Sequence, residues 1–203
     1  MTNENSFWVL YGQHTKPTYL EDAGNGQELQ RNAALQYVGS WRTCLDIGSN
    51  IGQWTRPLAK QFEKVVCFEP NSNFRECFER NIHSTNVTLF PYGLSDREHY
   101  AEQDFNSTIL RDVDGDIECR TLDSFNLGSI DFVKIDVDGF EVPLLNGAMK
   151  TLTDNNPVIN IEMKRDKRLD IVRKCESILK ELGYIFLSLI HILTLPTTGV
   201  VGG

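Results

Sequence analysis

The spacing of apolar residues changes repeatedly along the chain, and each change marks an element. Residues 42–47, 65–69, 87–92, 131–137 and 157–163 are short runs rich in apolar residues, and 65–69 is nearly continuous. Such runs, bounded by turn residues, read as strands covered on both faces. Between them the period lengthens. Residues 54–62 place Trp54, Leu58 and Phe62 at helical spacing, and residues 72–82 and 141–152 also read as helices. Residues 169–182 carry Ile171, Cys175, Ile178, Leu179 and Leu182 on one helical face, Gly183 follows as a stop, and residues 184–189 read as a last strand. Strands alternating with helices predict an α/β fold, a doubly wound and mainly parallel sheet with helices on both faces.

The flanks fit this rhythm less well. Residues 1–40 read as an N-terminal segment that could form a lid, with a short strand over 7–11, a turn at Gly24-Asn25-Gly26 and a helix over 27–37. Leu29, Ala33 and Tyr37 recur every four residues and are expected to be that helix's inner face. Residues 97–120 are polar and alternating, which predicts a hairpin-like insertion turning at Asp114-Gly115-Asp116, and residues 121–125 lead to a short helix or loop. The central domain is placed at 41–190. Residues 191–203 run through Pro196 into a Gly-Val-rich end, a composition not expected to build a closing strand. The run 187–192 also resembles a translated sequencing adaptor. The tail is therefore expected to be irregular and non-native, and the C-terminal end of the sheet incomplete.

Composition narrows the class. A chain of 203 residues fits one domain with a core of its own, and 40% hydrophobic with 24% charged residues is ordinary for a globular protein. The formal net charge of −8 argues against a nucleic-acid partner, which needs a basic face. Five cysteines at scattered positions, none in Cys-x-x-Cys spacing, read as reduced core thiols, and no metal site is expected. No leader and no membrane-spanning run is visible, so a cytoplasmic chain without a membrane partner is expected. Oligomeric state is left open.

The candidate chemistry starts where the first strand of the central domain breaks. Asp46-Ile47-Gly48-Ser49-Asn50-Ile51-Gly52 is a strand end, a glycine turn and the start of a helix, the unit that holds nucleotide-like ligands in open α/β folds. Its Gly-x-Asn-x-Gly spacing lacks the glycine that lets a pyrophosphate approach, which argues against a dinucleotide. Asp46 suits a cation better than a diphosphate. Glu69 ends the next strand 23 residues after Asp46, where a carboxylate can accept from both hydroxyls of a ribose. Glu69 is otherwise a helix cap. Gly93-Leu94-Ser95-Asp96 flanks the same crevice, as an adenine site or a polar turn. Alternation puts Lys134 and Asp136 on one strand face, and with Glu141 and Glu162 they form either an active site or an ion-pair cluster.

Together these segments resemble the FkbM-type methyltransferases, S-adenosylmethionine-dependent enzymes of the class I, Rossmann-like kind. The resemblance runs from about 43 to 183 and rests on six segments in order: Asp46–Gly52, Phe68-Glu69-Pro70, Gly93–Asp96, Thr121–Phe125, Lys134–Glu141 and the strand ending in Glu162. Asp138 departs from it, since the family more often has glutamate there. The resemblance implies methyl transfer to a hydroxyl of a sugar, glycan or secondary metabolite. By position, Asp46, Gly48, Ser49, Asn50 and Gly52 would line the methionine end of the cofactor, Glu69 and Pro70 the ribose, and Leu94, Ser95 and Asp96 the adenine. Asp136 would be the base, with Glu162 second, and Lys134 would steady a carboxylate or developing alkoxide. Two other readings are a cofactor-binding module without catalysis and a metal-assisted enzyme using Asp136, Asp138 and Glu162.

Overall fold

A computed structural model describes residues 6–10, 17–20, 27–103, 110–111, 114–163, 169–186 and 192–194. The chain opens with an antiparallel hairpin, β1 (Phe7–Leu10) and β2 (Pro17–Leu20), then α1 (Glu28–Leu35). Next come β3 (Thr43–Ile47), α2 (Thr55–Leu58), β4 (Lys64–Phe68), α3 (Ser72–Asn81) and β5 (Val87–Phe90). Short strands β6 (Gly93–Leu94), β7 (His99–Gln103), β8 (Leu110–Arg111) and β9 (Ile117–Arg120) form a second sheet, mostly antiparallel; β7 to β9 fall in the expected insertion, but residues 114–116 link β8 to β9 on opposite sides of β7 rather than turning a hairpin. The chain then returns through a single 3₁₀ turn to β10 (Phe132–Ile135), α4 (Glu141–Asn146), α5 (Met149–Asn155), β11 (Val158–Ile161) and α6 (Leu169–Glu181). It ends, among the described residues, with β12 (Ile185–Phe186) and β13 (Ile192–Thr194).

The main sheet runs β12-β13-β11-β10-β3-β4-β5, and its five central and edge strands from β11 to β5 are parallel. The chain winds outward from β3 to β5, then crosses back to β10 on the other side of β3. That reversal opens a crevice at the carboxyl ends of β3 and β10, the place where doubly wound sheets take ligands. Strand alternation sorts the core into two layers. Leu45, Ile47, Val66, Phe68, Val133, Ile135, Ile159 and Ile161 pack against α4, α5 and α6. Cys44, Val65, Cys67, Phe132 and Val158 pack against α1, α2 and α3, with Trp54 and Phe62. All five cysteines are buried. Burial pushes the Cys44 and Cys67 thiols up, as expected of core thiols rather than nucleophiles.

Four expectations change. The inner face of α1 is Arg31, Ala34 and Leu35, while Leu29 is 86% and Tyr37 50% exposed. Leu29 and Tyr37 thus face solvent and Ala33 is only half-buried against the core, while Arg31 lies under the helix against the Trp54 ring. The helix expected over 54–62 is a single α-helical turn, Thr55–Leu58, whose carbonyls continue into 3₁₀-type contacts at Lys60 and Gln61. The helix expected over 141–152 is two. It breaks at Gly147, where any Cβ would stand 1.9 Å from the Ser95 carbonyl oxygen, so the backbone itself is the contact surface. Finally, residues 192–194 do build a strand. Ile192 and Leu193 pair antiparallel with Asn160 and Ile159, and Leu193 and Thr194 with β12, so β-forming side chains outweigh the poor composition around them. Residues 187–191 and 195–203 lie outside the described residues. Among the described residues no helix is long and apolar enough to cross a membrane.

Candidate functional site

The turn after β3 is built from its glycine outward. Gly48 sits at φ +72°, and a Cβ there would meet the Asp136 carbonyl oxygen at 1.9 Å. Only glycine lets β3 and β10 close on each other at this point. The amides of Gly48 and Ser49 both donate to the Phe68 carbonyl at 2.9 and 3.1 Å, which ties the turn to β4. Asn50 takes a left-handed conformation, φ +50°, and its Oδ1 accepts from the Ile51 amide at 2.8 Å. Gly52, at φ +91°, clears the Ile82 side chain, which a Cβ would approach to 2.7 Å.

Asp46 and Lys134 are register partners on β3 and β10, and both side chains are buried on the face that carries α2. The Lys134 ammonium donates to the Gly48 carbonyl at 2.6 Å and stands 3.2 Å from Asp46 and 3.9 Å from Asp136. Burial alone would pull that ammonium's pKa down. Asp46, then Asp136 and Glu69, outweigh it, and the pKa is raised. Asp46 also accepts from the Thr55 hydroxyl at 2.6 Å. The pair is a post beneath the glycine turn.

Above it lies a cleft of about 200 Å³ at the carboxyl ends of β3, β4 and β10. Glu69 is 3% exposed and still reaches it. Its two carboxylate oxygens accept from the amides of Asn50 at 2.9 Å and Asn71 at 2.8 Å. Burial nevertheless pushes its pKa up to about 7, against those two amides and the charges of Lys134 and Arg75. The cap of α3 is Asn71, whose Oδ1 accepts from Asn73 and Phe74. Glu69 therefore does not cap the helix itself; it holds the capping residue's amide. Beyond Glu69 the walls are apolar, with Phe68, Pro70, Tyr92, Leu94 and Phe140. At the opposite end stand Asp136, Asp138 and Glu162.

Of the residues expected at a site, Gly48, Asn50, Glu69, Pro70, Leu94, Asp136 and Glu162 line this cleft. Asp46, Ser49, Gly52, Ser95, Asp96 and Lys134 do not. Asp46 and Lys134 are spent on each other, Gly52 is a packing glycine, and Ser49 is buried in the turn. Ser95 is buried where its carbonyl meets Gly147, and Asp96 pairs outward with Arg97 at 3.0 Å. Glu141 accepts from the Gly139 amide at 2.9 Å and fixes the start of α4. Among the described residues no three His, Cys, Asp or Glu side chains are arranged to hold a metal ion.

Residues that sequence reasoning missed include Tyr92, Phe140 and Gln27. Tyr92 and Phe140 follow strand ends and carried a signal only as aromatics beside motif segments. Gln27 comes from the N-terminal segment. Its Nε2 donates to Glu162 and its Oε1 accepts from the Trp54 indole at 2.7 Å.

The methyltransferase FkbM domain model matches residues 46–186, most of the chain and every segment around the cleft except the one that carries Gln27. The chain belongs to the FkbM methyltransferase family. No functionally curated protein matches it. Among solved structures, methyltransferase FkbM from Methylobacillus flagellatus KT is 20% identical with a TM-score of 0.54 over 68% of this chain. The match covers 37% of that protein, so this chain spans little more than a third of its length. An rRNA methylase from Streptococcus thermophilus, 12% identical, has a TM-score of 0.54 over 83% of this chain and 95% of its own. Ribosomal protein L11 methylase from Lactobacillus delbrueckii subsp. bulgaricus, 14% identical, has a TM-score of 0.52 over 84% and 78%. At these identities the likeness is one of fold, the Rossmann-like class I methyltransferase fold. Because that fold also carries an rRNA methylase, the expectation of no nucleic-acid partner, drawn from net charge, has no support in it.

Proposed function

We propose that this FkbM-family chain is an S-adenosylmethionine-dependent O-methyltransferase acting on a hydroxyl of a sugar, glycan or secondary metabolite. The observation that carries the reading is Glu69. A buried carboxylate held open by two backbone amides, at the end of the strand next to the glycine turn, suits a ribose diol. The donor set fits the rest of the cofactor. Phe68, Tyr92, Leu94 and Phe140 offer flat apolar walls for a purine, and Gly48 and Asn50 border the sulfonium end. The described lining residues include four carboxylates, Glu69, Asp136, Asp138 and Glu162, and no lysine, arginine or histidine. That balance suits a cationic cofactor and a neutral acceptor better than a phosphate-bearing one.

When bound, the cofactor's sulfonium supplies a methyl group to a nucleophilic oxygen by in-line displacement. Asp136 is the residue to take the hydroxyl proton, since it lines the cleft, is partly solvated and sits 3.9 Å from the Lys134 ammonium. A base so placed contributes on the order of 10²–10⁴ in rate. Lys134 acts through the turn it supports rather than on the acceptor. The test is transfer of labelled methyl from S-adenosylmethionine to a panel of neutral hydroxyl acceptors, beside amine and RNA panels. Label on hydroxyl acceptors supports the reading, and label confined to amines or RNA contradicts it.

A further inference from the structure

Gln27 lies outside the family-matched region, which begins at Asp46, yet it lines the cleft. Its orientation is fixed by chemistry. The Trp54 indole N–H can only donate, so the Gln27 oxygen must face it, and the Gln27 NH₂ must face Glu162. One of the two amide hydrogens goes to Glu162. The second belongs to a side chain that borders the cleft. Asn50 is fixed in the same way. Its oxygen is taken by the Ile51 amide, so its NH₂ is the outward group on the cleft wall.

The backbone supports a built arrangement. Gln27 holds φ +62°, a left-handed conformation that a non-glycine residue adopts at a cost. It does so just before α1, where the side chain bridges α2's entry at Trp54 to the end of β11 at Glu162. That bridge passes over the switch point between β3 and β10. Two carboxamide donors therefore sit beside carboxylates, with no cationic side chain among the described lining residues. An α-amino-acid end carries an ammonium and a carboxylate together. Carboxylates match the first, and neutral N–H donors match the second without a competing cation.

We propose that Gln27 and Glu162, with Asn50, form the receptor for the amino-acid end of the cofactor, Glu162 taking the ammonium and the two carboxamides the carboxylate. This rests on the cofactor reading above and adds a residue from the N-terminal segment to it. Glu162 then serves cofactor binding, which leaves Asp136 as the base.

The test compares two nucleosides by calorimetry on the full chain. S-adenosylhomocysteine carries the amino-acid end, and 5′-methylthioadenosine has the same thioether nucleoside without it. Wild type is expected to prefer S-adenosylhomocysteine by about tenfold or more. Gln27→Met should remove about tenfold of that preference and leave 5′-methylthioadenosine affinity within about twofold. Gln27→Glu keeps an acceptor for Trp54 but replaces the donor with a like charge, and should lower S-adenosylhomocysteine affinity further. If both variants weaken both nucleosides equally, Gln27 is only structural and the proposal is overturned. A wild type that binds both nucleosides equally overturns the receptor and leaves the nucleoside site standing. A folded wild type that binds neither overturns both.

Discussion

Glu69 gives a prediction that needs no acceptor. In the folded chain without cofactor its pKa is pushed from the ordinary 4.5 up to about 7, chiefly by burial. Between those two values the native state holds more protons than the unfolded state. Stability is therefore full below about pH 4.5 and falls as pH rises towards 7. At about 1.4 kcal/mol per pH unit, the interval corresponds to a loss on the order of 3 kcal/mol. Glu69→Gln removes the titration. It also adds a constant cost of about 1–3 kcal/mol, because a carboxamide has one acceptor oxygen for the two amides of Asn50 and Asn71. Urea unfolding of both proteins from pH 4.5 to 8 separates the two effects. Other carboxylates titrate in both proteins and cancel in the difference. The wild type should be clearly more stable than Glu69→Gln at pH 4.5, and that advantage should shrink by about 3 kcal/mol at pH 8. Parallel curves would refute the burial argument.

Two further substitutions test the post and the base. Lys134→Met leaves Asp46 buried without its cation and should cost about 3–5 kcal/mol in urea unfolding, with Asp46→Asn added to it recovering part of the loss; a cost under about 1 kcal/mol would contradict the post. Asp136→Asn should lower turnover by about 10²–10⁴ while S-adenosylhomocysteine affinity stays within a few fold, and unchanged turnover on a bound acceptor would remove Asp136 as the base.

Much of the fold is written in local pattern. The apolar runs that became β3, β4, β10 and β11 are covered on both faces, and the stripe on α6 is a single helical face, so period alone found them. Elements decided by distant contacts were less visible. The Gly147 break depends on the Ser95 carbonyl, and α1's inward face depends on Arg31 lying against Trp54, neither of which a local window contains. The site divides the same way. Glu69 and Asp136 sit at strand ends, where position in the chain predicts position in the crevice. Lys134 shares the strand that leads to Asp136, and Asp46 lies on β3 beside it, but both point into the layer below, where each is the other's partner. Motif residues thus separate into those that meet a ligand and those that hold the turn, and only the packed structure separates them. Gln27 had no local signal, because its role comes from contacts with Trp54 and with Glu162, which is 135 residues away in the chain.

The most direct measurement is calorimetric titration of the purified chain with S-adenosylhomocysteine, with Glu69→Ala as the control. Micromolar binding by wild type, lost or weakened at least about tenfold in Glu69→Ala, is the result expected if the buried carboxylate holds the ribose. A folded wild type that shows no binding, or a Glu69→Ala variant that binds as tightly as wild type, would contradict the assignment of this cleft to the cofactor.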